Sequence, residues 1–228
     1  MWLSAFLHLF FPHVCAGCGN DQLQQHDVIC AECMAMLPYT GFLQHEGNPV
    51  EKVFYGRIPV KAAGSLLYFT RPSIVQHLMQ AVKYQGNQEA GRWMGQILGS
   101  AMLQSERFNH INAIIPVPLH KRKQQQRGYN QAFLLAKGIS NVLQVPVVDG
   151  VLVKQASTAT QTHKGRTERM NILQNTFSLT TPEVLHQKHL LLVDDIITTG
   201  ATLEACGQAL LNAKPASLNI TSVAYTLL

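Results

Sequence analysis

The segment from Leu190 to Thr202 reads LLLVDDIITTGAT, and its side chains divide into two chemistries. Asp194 and Asp195 are carboxylates, which accept hydrogen bonds. The 2′- and 3′-hydroxyls of a ribose are donors that would satisfy them. After Ile196 and Ile197, the run Thr198, Thr199, Gly200, Ala201 and Thr202 opens a helix. The first N–H groups of a helix have no internal partner, and the helix dipole favours an anion there. Gly200 lets the backbone turn sharply and approach a phosphate, and the threonine hydroxyls add donors. A carboxylate repels a phosphate, so the two halves must serve opposite ends of one ligand. A ribose phosphate has those ends. The competing reading is an ordinary strand–turn–helix with acids at its rim. Neither a GxxxxGK[ST] phosphate loop nor a GxGxxG dinucleotide loop is present.

A second constellation lies near the N-terminus. Cys15, Cys18, Cys30 and Cys33 form two CxxC pairs separated by eleven residues. Two such knuckles supply the four thiolates of a closed, tetrahedral structural zinc site, with no open position for catalysis. Four reduced cysteines or an iron–sulfur centre are the alternatives. Gly17 and Gly19 permit the tight turn, and so small a module would depend on its metal to fold. Cys206 stands alone on a helix and reads as a small core residue.

Three basic groups could meet an anionic ligand. The stretch Ile114–Asn130, IIPVPLHKRKQQQRGYN, contains His120, Lys121, Arg122, Lys123 and Arg127. Such a loop beside a sugar-phosphate site suits a pyrophosphate, although a solvated loop or a nucleic-acid patch has the same composition. The polar stretch Thr158–Asn171 carries Lys164, Arg166 and Arg169 and reads as a lid, or as a surface loop without a role. Lys83 ends a helix before a glycine cap at Gly86, where it would reach a phosphate or answer the helix dipole.

The elements that must position these groups follow from hydrophobic periodicity. Strands are expected at Ala62–Phe69, Ala113–Val117, Val147–Val153, Thr176–Leu179, Leu190–Val193 and Ser217–Tyr225. Helices are expected at Ile74–Lys83, Glu89–Leu103, Asn130–Val142 and Thr202–Ala213. The alternation predicts an α/β fold, a mainly parallel sheet with helices on both faces and ligands at the C-terminal strand ends. The cysteines define a small zinc-ribbon-like module over residues 1–45. The α/β domain spans 53–228, and Tyr39–Lys52 looks like a linker.

With 228 residues and 46% apolar composition, the chain can bury a core and is not globally disordered. A formal charge of +5 favours anionic partners without choosing among them. The opening MWLSAFLHLFFP lacks a basic residue ahead of its apolar run and a small-residue cleavage site. It is too short to span a bilayer, so a segment docked on the body is expected, with no stable membrane insertion. Paired CxxC knuckles without a signal peptide fit a reducing cytosol.

The run of four apolar residues, two acids, two apolar residues and T-T-G-x-T matches the phosphoribosyl pyrophosphate (PRPP) motif of type I phosphoribosyltransferases at every position. The order CxxC…CxxC, KYxG, PVP…RGYNQ, TxTQ…R…RxN and VDDIITTGAT resembles the ComF family over nearly the whole chain. The resemblance implies a type I phosphoribosyltransferase fold, PRPP bound with Mg²⁺, a cytoplasmic location and a structural zinc. It further implies a role in processing or uptake of DNA during natural competence, beside a helicase-like partner, or in nucleotide salvage. Such a chain is either a pentosyl-transferring enzyme or a non-catalytic PRPP sensor that contacts single-stranded DNA or a competence protein.

Overall fold

The computed structural model describes residues 14–21, 23, 27–155 and 176–227. Four strands form one parallel sheet: β1 (Ala62–Phe69), β2 (Ala113–Pro116), β5 (His189–Ile197) and β6 (Ser217–Thr226). Their order is β1-β6-β5-β2. Ligand-binding loops therefore gather at one sheet edge, above the C-terminal ends. Two short strands, β3 (Leu152–Lys154) and β4 (Phe177–Leu179), pair antiparallel in a separate ribbon.

The helices are α1 (Ala31–Ala35), α2 (Pro49–Phe54), α3 (Ile74–Tyr84), α4 (Gln88–Leu103), α5 (Lys121–Arg127), α6 (Gln131–Leu143) and α7 (Ala201–Leu211). Alternate residues of β5 enter two separate hydrophobic clusters. Leu191 and Val193 join the core with α3, α4 and α6, whereas Leu190 and Leu192 join the core with α2 and α7. A strand whose side chains alternate between buried faces must be apolar throughout, and Leu190–Val193 is. α4 and α6 pack at backbone contact: a Cβ at Gly95 would strike the Leu135 carbonyl, and one at Gly138 the Arg92 carbonyl. Methyl groups there would push the two helices apart.

Three sequence expectations need correction. Tyr39–Lys52 is not a free linker. Asn48 is buried, accepts from the N–H groups of Val50 and Glu51 at the start of α2, and donates to the carbonyls of Phe42, His45 and Ala63. Glu51 is also buried and pairs with Arg107. Polarity suggested a linker because a buried, fully bonded Asn–Glu pair has the same composition as a solvated loop. Val147–Val153 is not one strand. Val147 makes a single parallel bridge to Ile114, the chain turns at Gly150 with φ +74°, and only then does β3 begin. The basic stretch after β2 is a helix, α5, ended by Gly128 in the left-handed region at φ +80°.

The cysteine segment shares the main core. Cys15, Val28, Ile29, Cys33 and Leu37 belong to the same apolar cluster as Val75, Leu78 and Val82 of α3. The ring of His77, on α3, is hydrogen-bonded through Nδ1 to the Gly17 carbonyl at 2.7 Å. No helix of the described residues is long and apolar enough to cross a membrane.

Candidate functional site

Between β5 and α7 the chain turns through Thr198, Thr199 and Gly200. Gly200 caps α7 with φ 74° and ψ −2°, and no side chain bonds the cap. The first-turn N–H groups are thus not taken by a capping side chain, as an anion site requires. A Cβ at Gly200 would strike Val53 and the Phe54 ring of α2, so close packing and backbone conformation both demand glycine. Thr198, Thr199 and Thr202 are exposed, and Ala201 is half-buried.

The two acids lie inside β5, which continues to Ile197 rather than stopping at Val193. Asp194 pairs in register with Ser222 of β6, and Ile196 with Ala224. Alternation sends the acids to opposite faces of the sheet end. Asp195 follows Leu191 and Val193 toward α3, where its Oδ2 lies 2.6 Å from Lys83 Nζ. Asp194 follows Leu190 and Leu192 toward α7, and its Oδ1 accepts from the Asp195 N–H at 2.8 Å. Burial, followed by the Asp195 charge, pushes the Asp194 carboxyl up to about 8. The Asp195 N–H and the charges of Lys83 and Lys154 pull it the other way without cancelling that rise. Of the two adjacent acids, Asp195 is ion-paired with Lys83 and Asp194 stays protonated to a higher pH because burial and its neighbour's charge disfavour a second carboxylate.

A cleft of about 500 Å³ opens beside this turn, bounded by Ile196, Thr198, Lys83, Tyr84, Phe69 and Thr226. Its size suits a sugar phosphate. Sequence had offered Lys83 a phosphate or the helix dipole; its observed partner, Asp195, belongs to neither reading. Arg127, at the end of α5, reaches the same region. Its guanidinium lies 5.5 Å from the Tyr84 ring centre and donates to Gln131 Oε1 at 2.8 Å. The Tyr129 hydroxyl donates to the Val82 carbonyl, so the β2–α6 connection grips the end of α3. Lys121, Arg122 and Lys123 are exposed on α5, whose start is capped by His120 Nδ1 accepting from the Arg122 N–H. Lys164, Arg166 and Arg169 lie outside the described residues.

One residue escaped sequence reading. Arg57, just after α2, donates through one guanidinium nitrogen to the carbonyls of Thr199 at 2.9 Å and Val53 at 3.2 Å. Its Nε lies 3.5 Å from Glu204 in the first turn of α7. No local motif surrounds Arg57, and its target is distant in sequence, so only the fold reveals it.

The four N-terminal cysteine sulfurs all lie within 4.8 Å of one another, the only cluster of three or more such ligands among the described residues. Cys18 Sγ and Cys30 Sγ are 3.8 Å apart. A tetrahedron with Zn–S bonds of about 2.3 Å has an edge of about 3.8 Å, so the spacing fits a metal ion and is far too long for a disulfide. The cysteines are free. Burial raises the Cys15 thiol, but the N–H groups of Cys30, Cys18 and Gly17 outweigh it and bring the pKa down to about 6. The cluster can therefore hold a metal such as zinc. Cys206 is fully buried and its thiol is pushed well up by burial and by Asp194, as befits a core residue.

Comparison with known proteins bears on both parts. A phosphoribosyl transferase domain model matches residues 130–226, which include the whole acid and threonine segment. Competence protein F of Haemophilus influenzae is 30% identical over 209 residues, covering 90% of this chain and 86% of that protein. The chain belongs to the ComF family. DNA utilization protein YhgH of Escherichia coli K12 is 28% identical over 230 residues, covering 96% of this chain and all of that protein. Competence protein ComFC of Bacillus subtilis is 26% identical over 152 residues, 66% of this chain and 60% of its own length. This ComF chain thus joins a phosphoribosyltransferase-type domain to a four-cysteine cluster.

Proposed function

We propose that this chain binds PRPP at the end of β5 and transfers its phosphoribosyl group to an acceptor. The uncapped α7 turn directly after the two acids of β5, with Lys83 and Thr198 lining one cleft and Lys83 paired to Asp195, carries this reading. In it, the Thr198–Thr202 turn takes the 5′-phosphate, and Asp194 and Asp195 accept from the ribose hydroxyls. Arg127, over the Tyr84 ring that borders the cleft, would meet the pyrophosphate. The bond from C1 to the pyrophosphate oxygen breaks with its electron pair on the leaving group, and an acceptor nucleophile forms the new bond at C1. Mg²⁺ would supply charge neutralisation on the pyrophosphate. Beside Asp194 and Asp195 the described residues provide no third carboxylate or imidazole, so that ion would be held mainly by the ligand's own oxygens. The protein's contribution is placement and fixed charge.

The division into a metal module at 1–45 and a catalytic domain at 53–228 belongs to the same proposal, with Zn²⁺ as the structural metal. The names of the relatives, competence protein and DNA utilization protein, support a role in competence or DNA utilization, and the free cysteines favour placing it in the reducing cytoplasm. Single-stranded DNA and a helicase-like competence protein are the partners proposed. The exposed run Lys121–Lys123 favours a second reading, a PRPP-responsive DNA-binding module without turnover. Release of pyrophosphate from PRPP, screened against bases and nucleotides, separates the two. Turnover with an acceptor supports the enzyme. No turnover, together with DNA binding that disappears when the metal is removed, supports the module.

A further inference from the structure

Arg57 is a charged group in direct contact with the phosphate turn that neither the motif nor the proposed chemistry uses. Its guanidinium donates to the Thr199 carbonyl at 2.9 Å. A trans peptide points its C=O and its N–H in opposite directions. Holding the Thr199 carbonyl toward Arg57 therefore points the Gly200 N–H away from it, leaving that N–H, at the uncapped start of α7, for an anion. The contact with Glu204 has a second effect. Glu204 sits in the first turn of α7, where an unpaired carboxylate would repel an arriving phosphate; Arg57 Nε stands 3.5 Å from it. Val53 and Phe54 pack against Gly200, and the Val53 carbonyl accepts from the same guanidinium nitrogen.

We infer that Arg57 is a positioning residue for the 5′-phosphate, acting through the Thr199–Gly200 peptide rather than by touching the ligand. This inference rests on the PRPP reading. It ties the turn after α2 to ligand affinity.

The test is calorimetric titration of the full chain with ribose 5-phosphate, PRPP and pyrophosphate, for the wild type and the Arg57→Ala, Arg57→Lys and Glu204→Ala variants. A charge-assisted hydrogen bond at a partly exposed site supports a loss of about tenfold. Arg57→Ala is expected to weaken ribose 5-phosphate and PRPP by that common factor and to leave pyrophosphate unchanged. Arg57→Lys should restore part of the loss. Glu204→Ala, which keeps the carbonyl bond, should bind ribose 5-phosphate at least as well as the wild type. The amide proton of Gly200 should shift downfield when ribose 5-phosphate is added to the wild type, and not in Arg57→Ala. A merely structural role would not move that resonance selectively. Unchanged ribose 5-phosphate affinity in Arg57→Ala overturns the inference. So does an equal loss for pyrophosphate, or a loss in Glu204→Ala as large as in Arg57→Ala. Failure of the wild type to bind any of the three ligands would instead remove the PRPP reading, and the inference with it.

Discussion

Replacing Lys83 with methionine should expose how the acid pair is held before any ligand arrives. Met keeps the length of the side chain and removes its charge. The Lys83 and Asp195 side chains are 22% and 8% exposed, and their charged atoms are 2.6 Å apart. Removing one partner of a buried ion pair costs about 3–5 kcal/mol, because the other charge is left without compensation. The ammonium is partly solvated, and a neighbouring acid can take up a proton, so about 2–3 kcal/mol is expected here. In a chain of this size that corresponds to a melting temperature lower by roughly 5–10 °C. The sign of the pH dependence follows from Asp194, whose folded pKa is raised to about 8. A carboxyl raised above its unfolded value of about 4 makes the folded state the tighter proton binder. Its protonation stabilises the fold fully below that unfolded value, and the contribution is lost as pH rises through 8. Without Lys83 the repulsion between the acids grows, so the penalty in Lys83→Met should be greatest near pH 8 and shrink toward pH 5. Thermal melts of wild type and variant across that range measure it. A variant within about 2 °C of the wild type at pH 8, or a deficit constant between pH 5 and 8, would refute the assignment of Lys83 as the counter-charge.

Because Asp194 holds a proton below about 8, PRPP binding to its carboxylate should release protons near neutral pH, and affinity should rise with pH and level off above 8. Titration in buffers of different ionisation enthalpy reads that proton count; proton uptake would contradict the acid's role. Gly200→Ala places a methyl against Val53 and Phe54 at φ 74°, so it should cost about 1–3 kcal/mol in denaturant melts and lower PRPP affinity. Cys15→Ser should reduce bound zinc from one per chain to a substoichiometric amount, measured by elemental analysis, and should lower the melting temperature because Cys15 and Cys33 share the core of α3.

Much of the site was legible because its chemistry is local. Asp194 through Thr202 lie on one strand–turn–helix, and residue type with spacing carries the roles proposed for them without tertiary information. Cys15, Cys18, Cys30 and Cys33 are equally readable, since each knuckle is a short turn. The groups that complete the site come from elsewhere in the chain. Lys83 meets Asp195, and Arg57 meets Thr199, across separations that no periodicity encodes. The opposed directions of Asp194 and Asp195 depend on β5 continuing to Ile197, whereas the apolar run ends at Val193. Tyr39–Lys52 was misread as a linker because its polar residues Asn48 and Glu51 are bonded internally rather than to water. Asn48 alone donates to three carbonyls there.

The most direct test of the account is calorimetric titration of PRPP into the wild type and into the Asp194→Ala, Asp195→Ala double variant, with Mg²⁺ present. The account predicts saturable binding by the wild type, none by the variant, and a folded variant by circular dichroism. Equal PRPP affinity in the two proteins would contradict it.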